Sequence, residues 1–278
     1  MPIAKGEGAT EIFYEIFGSE GSPVVMCAGM GGSGRFWQPQ ISALSRRHRV
    51  VVYDQVGTGR SSREIDGELS VARMARDVAA VLDAAGIAAV HFVGHAIGGI
   101  VGIELAAQLP ARVLSLTVVN GWANADAHVR RCFEVRKDIL VKSGAQAYLR
   151  AQPLFLYTPR WISDNDDHLN AELADQLKTF PSTSVMLARI DMFLQFDAAS
   201  RLSAVRAPTL IVASRDDALV PHHLSAALVG GIPDSRFETV DSGGHAFTVV
   251  HPERFSDLLL AFLQDYHQPA PGSSRVPN

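Results

Sequence analysis

Short runs of apolar, β-branched residues recur along the chain, separated by longer stretches with helical spacing. The runs are EIFYEIF from Glu11, PVVMCA from Pro23, RVVVYD from Arg49, AVHFVG from Ala89, RVLSLTVVN from Arg112, PTLIVAS from Pro208 and SRFETV from Ser235. Most are apolar without interruption, as expected of strands covered on both faces in a parallel sheet. The first alternates, which predicts an antiparallel edge strand. Between the runs, residues 70–85 open on Ser70 as a helix cap, residues 97–109 keep helical spacing up to Pro110, and residues 253–262 follow Pro252. Strand and helix in alternation predict a doubly wound, mostly parallel α/β domain.

The alternation stops after Val119. From Asn120 to Arg206 the pattern is helical, punctuated by Pro153, Pro159 and Pro181, and strands resume at Pro208. This predicts a core domain of residues 1–120 and 206–265 with a helical lid over 121–205. The lid is expected over the carboxyl ends of the strands, where open α/β sheets bind ligands. The tail, residues 266–278, is rich in Pro, Ser and Gly from His267 and is expected to be flexible.

Composition narrows the classes of function. The 278 residues are 47% hydrophobic and 19% charged, ample for a buried core and unlike a disordered chain. A net charge of −4 gives no basic footprint for nucleic acid or an anionic membrane. Cys27 and Cys132 are too few for a disulfide scaffold, and no partner His is placed for Cys132, which reads as a small buried hydrophobe. His128, His222 and His223 form no metal pattern, so neither metal nor other cofactor is expected. The first residues carry no apolar signal core, and no run approaches the ~20 residues that span a bilayer. The expectation is a soluble, cytoplasmic protein whose partner is a small-molecule substrate, with a homodimer as the assembly allowed for.

Gly29-Met30-Gly31-Gly32-Ser33-Gly34 imitates a dinucleotide fingerprint, with Asp54 twenty residues further on. A helix already running at Gly32 would contain Pro39, where proline removes a hydrogen bond and clashes with the preceding turn. A glycine-rich loop that offers free backbone N–H groups to an anion is the better reading. Further on, Gly94-His95-Ala96-Ile97-Gly98 matches the nucleophile elbow G-x-S-x-G, whose glycines permit a sharp strand-to-helix turn. The nucleophile position is Ala96, and a methyl group attacks nothing. Asp217, before Pro221, and His245, after Gly243-Gly244, then complete the elbow–acid–histidine order of the α/β-hydrolase triad, with Asp216 as the alternative acid.

From about Glu11 to Phe262 the chain resembles the α/β-hydrolase fold superfamily. More narrowly, it is similar to the RutD family, the aminoacrylate or carbamate hydrolases of the Rut uracil-degradation pathway of bacteria. The narrower likeness rests on Gly94-His95-Ala96-Ile97-Gly98, Val119-Asn120-Gly121-Trp122, residues 130–136 (RRCFEVR) and residues 152–157 (QPLFLY). The resemblance implies that Ala96 is native. The wider superfamily has His where this chain has Ala28 and Arg where it has Val56, so those roles do not transfer.

The implied substrates need no covalent catalysis. The enamine 3-aminoacrylate needs a proton on carbon, and carbamate needs one on nitrogen. A positioned histidine, with an ordinary pKa of ~6.5, can supply either at neutral pH. His245 is the candidate acid/base, with Asp217 fixing its tautomer. The backbone N–H groups of Met30 and Ile97 are the candidate oxyanion site for the substrate carboxylate. Asn120, Trp122 and Arg131 are further candidates for the substrate-binding wall, and Arg130, Arg131 and Arg136 are candidates to bind a small anion, although Trp122 also reads as core and the arginines as a solvated helix face. Ser33 and Ser242 lie near the expected site but on no elbow. Three alternatives stay open: a serine ester hydrolase inactivated by Ala96, a non-catalytic binding homologue, and a cofactor-free lyase or oxygenase on the same fold.

Overall fold

The computed structural model describes residues 2–8 and 10–266. Eight strands form one sheet: β1 (Ile3–Lys5), β2 (Glu11–Phe17), β3 (Pro23–Cys27), β4 (Arg49–Tyr53), β5 (Val90–His95), β6 (Val113–Val119), β7 (Thr209–Ser214) and β8 (Ser235–Val240). Their order is β1-β2-β4-β3-β5-β6-β7-β8. From β4 to β8 all neighbours are parallel, while β1 and β2 join antiparallel. The run from Glu11 is therefore antiparallel as expected but is not the edge. Residues 3–5 cover it, a strand too short to show a two-residue period.

The uninterrupted apolar runs have a direct cause. Successive strand residues face opposite ways, and here both faces are covered. Val25, Cys27, Val51, Tyr53 and Phe92 pack on one side, and Val24, Met26, Val50, Val52 and Val93 on the other. The first side is covered by α2 (Val71–Ala84, after α1 at Gln38–Leu44) and by α3 (Ile97–Gln108). Ser70 caps α2 by accepting the Arg73 N–H. Pro39 lies in the first turn of α1, where a proline is tolerated, because the helix starts only at Gln38.

From residue 121 to 205 the described elements are helical: α4 (Ala127–Ala151), α5 (Pro153–Leu156), α6 (Pro159–Asp164), α7 (Asp166–Thr179) and α8 (Thr183–Gln195), with a short 3-10 turn after them. The one strand pairing in this span is an isolated bridge between Asn124 and Asp197. Asp126 caps α4 and Ser182 caps α8. Glycine allows α4 to break at Gly144, where φ is +80°. After β7 come α9 (His222–Ala226), α10 (Phe247–Val250) and α11 (Pro252–Asp265).

Hydrogen bonds pin this insertion over the carboxyl ends of the parallel strands. The Leu156 carbonyl accepts from Ala246 N–H at 2.9 Å, past β8. His128 Nε2 donates to the Ala218 carbonyl at 2.8 Å, past β7. Arg189 donates to the Met30 carbonyl at 3.1 Å, past β3. Among the described residues no helix is long and apolar enough to cross a membrane. The tail, apart from Tyr266, lies outside the described residues.

Candidate active site

The chain turns sharply between β5 and α3, and glycine makes the turn possible. A Cβ on Gly94 would fall on the carbonyl of Gly98, and one on Gly98 would fall on the carbonyl of Cys27. At the apex Ala96 sits at φ 51°, ψ −113°, buried, with its N–H donating to the Val119 carbonyl at 2.8 Å. A non-glycine residue there is strained by ~1–3 kcal/mol. The backbone that would present a nucleophile is retained although the side chain is a methyl.

His245 and Asp217 are brought together by the loops after β8 and β7. Their Nδ1 and Oδ2 atoms are 2.7 Å apart, and both side chains are almost wholly buried. A carboxylate only accepts, so Nδ1 carries the proton and Nε2 is left as the acceptor. The other oxygen of Asp217 accepts from the Leu219 and Val220 N–H groups, both at 2.8 Å. Asp216 makes no such contact with the histidine. It accepts instead from Ser214 Oγ and from the Gly243 and Gly244 N–H groups, which shapes the loop that carries His245.

The backbone of His245 is clamped. Its carbonyl accepts from Asn120 Nδ2 at 2.6 Å and from His95 Nε2 at 2.8 Å. Asn120 Oδ1 accepts from Ser214 N–H at 3.1 Å, and its own φ of 49° suits an asparagine better than most residues. Asn120 thus has both ends of its amide engaged in holding the histidine loop, which corrects the expectation that it binds substrate. The clamp itself is not legible in sequence, because it joins loops more than 120 residues apart through a carbonyl.

His95 lies between Phe36 and His245, ring centroids 4.6 and 4.7 Å away. Because a carbonyl takes its Nε2–H, Nδ1 is unprotonated, and that atom is buried without a partner. Burial first, and then the neighbouring His245, hold its pKa down to about 3. An unfolded histidine takes a proton near ~6.5. Its stabilising contribution is therefore complete above that pH and is lost as pH falls from there toward 3. Unfolding free energy of His95→Gln should show a shallower acid slope, by about one proton or ~1.4 kcal/mol per pH unit between ~pH 6 and 4. Parallel curves for the two proteins would contradict this.

The glycine-rich loop packs against the elbow. A Cβ on Gly29 would lie 3.5 Å from that of Ala96. Among the described residues, neither Met30 N–H nor Ile97 N–H has a hydrogen-bond partner. Asp54, the supposed ribose ligand of the imitation fingerprint, is engaged elsewhere: it accepts from Gly34 N–H at 2.8 Å and from Arg60 Nε at 2.8 Å. Burial raises its pKa, but the bonds from Arg60 and Gly34 outweigh that and hold it low.

Two candidates for the wall, and the reading of one cysteine, change. Arg131 is exposed on α4, away from the helix face that packs inward, so it does not reach the site. Trp122 is buried with its ring 5.7 Å from that of Phe193 and belongs to the core. Cys132 does have a histidine neighbour, His128 Nε2 at 3.5 Å, and burial pushes its thiol pKa up. Ser33 donates to Asp54 and Ser242 is exposed. Three arginines are buried: Arg73 on α2, Arg136 on α4, which is therefore not on a solvated face, and Arg189 on α8, which sequence reasoning does not reach. Among the described residues no group of three or more His, Cys, Asp or Glu is placed to hold a metal ion.

Residues 22–252 match the alpha/beta hydrolase fold family. A protein of Azorhizobium caulinodans named "Putative carbamate hydrolase RutD" is 55% identical over 268 residues, covering 96% of this chain and 100% of that protein. One of the same name from Caulobacter vibrioides is 47% identical, covering 91% and 95%. The enol-lactonase of Burkholderia xenovorans superposes with a TM-score of 0.86 at 23% identity, over 95% of this chain and 100% of that one, which speaks to the fold alone.

Proposed function

Because the chain belongs to the alpha/beta hydrolase fold family and, within it, to the RutD family, we propose that it releases ammonia from a small nitrogen compound of pyrimidine breakdown by His245–Asp217 acid/base catalysis without a nucleophile. The observation that carries this reading is the buried 2.7 Å histidine–aspartate pair beside an elbow that keeps its strained backbone but presents a methyl. Carbamate is the substrate that the names of the relatives favour. Protonated His245 gives its proton to the carbamate nitrogen, the C–N bond breaks toward nitrogen, and ammonia and carbon dioxide leave. With 3-aminoacrylate, the proton goes to the carbon next to the carboxylate. Water, deprotonated by the neutral imidazole, then adds to the iminium carbon to give a carbinolamine. The imidazolium returns that proton to the nitrogen, and ammonia leaves as the hydroxyl gives its proton to the imidazole, forming malonic semialdehyde. Asp217 stabilises the imidazolium in both routes. The N–H groups of Met30 and Ile97 take the carboxylate oxygens.

Returning a hydroxyl at the elbow separates this reading from an inactivated serine hydrolase. In our reading the space beside the Ala96 methyl belongs to substrate or water. Ala96→Ser should therefore lower ammonia release and leave p-nitrophenyl acetate turnover within about tenfold of the unmodified protein. Losing a serine nucleophile costs on the order of 10⁶ in an ordinary hydrolase. A rise in ester turnover of several orders of magnitude at Ala96→Ser would establish the serine-hydrolase reading instead.

A further inference from the structure

Three arginines are buried among the described residues: Arg73, whose charge acts on Glu7 and Asp77, and two that act on no carboxylate, Arg136 and Arg189. Arg136 is 2% exposed and Arg189 0%, and neither is in an ion pair among the described residues. Arg136 Nη2 donates to Gln152 Oε1 at 3.2 Å, and its Nε has no partner. Aromatic faces surround it, with Tyr148 at 4.7 Å and Phe133 at 5.0 Å from the guanidinium carbon. Arg189 Nη2 donates to Gln55 Oε1, Nε and Nη2 donate to the Met30 carbonyl, and Nη1 has no partner. Burial lowers the pKa of both, that of Arg189 to about 10, and arginine side chains in proteins stay protonated at neutral pH. Asp77 lines a small cavity with Arg189 but lies beyond ion-pair distance. Burying an unpaired charge costs several kcal/mol, and buried charges are ordinarily matched by opposite ones.

The two cations belong to one place. They come from packed helices, α4 and α8, and both act electrostatically on the Tyr148 hydroxyl. Each is tied to a loop of the site, Arg189 directly and Arg136 through its neighbours. Arg189 holds the carbonyl of Met30, next to Gly29 at the elbow. Arg136 lies 5.4 Å from the Phe155 ring, and the following residue, Leu156, accepts the N–H of Ala246 beside His245. The backbone N–H groups of Met30 and Ile97 favour an anion through partial charges alone, whereas the two guanidinium groups carry full positive charge.

We propose that Arg136 and Arg189 are the charge-selecting wall of the substrate site, binding a small carboxylate whose charge the protein itself leaves unmatched. The assignment rests on the reading given under Proposed function, since both substrates named there are carboxylates. It makes the insertion a specificity element: substrates are admitted by their negative charge and small size.

The test uses acrylate, which keeps the carboxylate and carbon skeleton of 3-aminoacrylate without the amine, and acrylamide, its uncharged counterpart. Titration calorimetry on the unmodified protein at constant ionic strength should show acrylate binding and little acrylamide binding. Arg136→Met and Arg189→Met should each weaken acrylate by about 10- to 100-fold, the range for a hydrogen bond to a charged group. Arg136→Lys and Arg189→Lys keep the charge in a gentler change and should fall between. Acrylate no tighter than acrylamide, or acrylate affinity unchanged in the folded lysine and methionine variants, would overturn the proposal. Acrylate bound through the arginines by a protein that releases no ammonia would uphold this site and refute the catalytic reading. Ammonia release that persists with unchanged acrylate affinity in all four variants would refute this site alone.

Discussion

His245→Ala should bring ammonia release down to the spontaneous rate, a loss of about 10²–10⁴ in the catalysed rate. The side chain removed is the group that, in the proposed mechanism, gives a proton to substrate and takes one from water. Its Nδ1 is committed to Asp217, so Nε2 is the atom left free for the proposed transfer. The backbone clamp from Asn120 and His95 grips the carbonyl of residue 245, which the substitution leaves in place. The loop should therefore keep its position, and the loss is one of chemistry rather than of folding. Initial rates of ammonia release, read beside thermal unfolding of the same preparation, check this. A folded His245→Ala protein working at the unmodified rate would remove the histidine from the mechanism.

Asp217→Asn should be nearly as damaging, by up to about 10⁴ where a triad carboxylate is so changed. The amide oxygen can keep the Leu219 and Val220 N–H bonds that Oδ1 now accepts. Those bonds fix which end of the amide faces inward, so an NH₂ group replaces Oδ2 against His245 Nδ1. It can only donate. The imidazole must then carry its proton on Nε2, where the lone pair was needed. The fall should appear in kcat, with the protein folded. A rate within tenfold of the unmodified protein would mean that the aspartate orients nothing of consequence.

Most of the sheet is legible because both of its faces are buried, which turns each inner strand into an unbroken apolar run such as PVVMC or TLIVAS. Residues 3–5 escape because three positions, only one of them buried, show no period. Elbow, acid and histidine are legible because steric need fixes the glycines and topology fixes the order. The arginines show the limit. Arg131 stands in a conspicuous Arg-Arg pair, yet the inward face of α4 runs Val129, Phe133, Arg136, Leu140, and the pair lies outside it. Arg189 likewise sits in the stripe Val185, Met186, Arg189, Ile190, Phe193. A cation at a core position of an apolar stripe is the signal that separates Arg136 from the exposed pair and would have found Arg189. Arg130-Arg131 drew attention by charge density, which marks solvent faces more than sites.

The central claim is that this protein accelerates ammonia release by proton transfer. The most direct measurement is the initial rate of ammonia release from carbamate and from 3-aminoacrylate, with and without the unmodified protein, at neutral pH. The account predicts release well above the spontaneous rate with at least one of the two substrates, in proportion to protein concentration. Release at the spontaneous rate with both would contradict it.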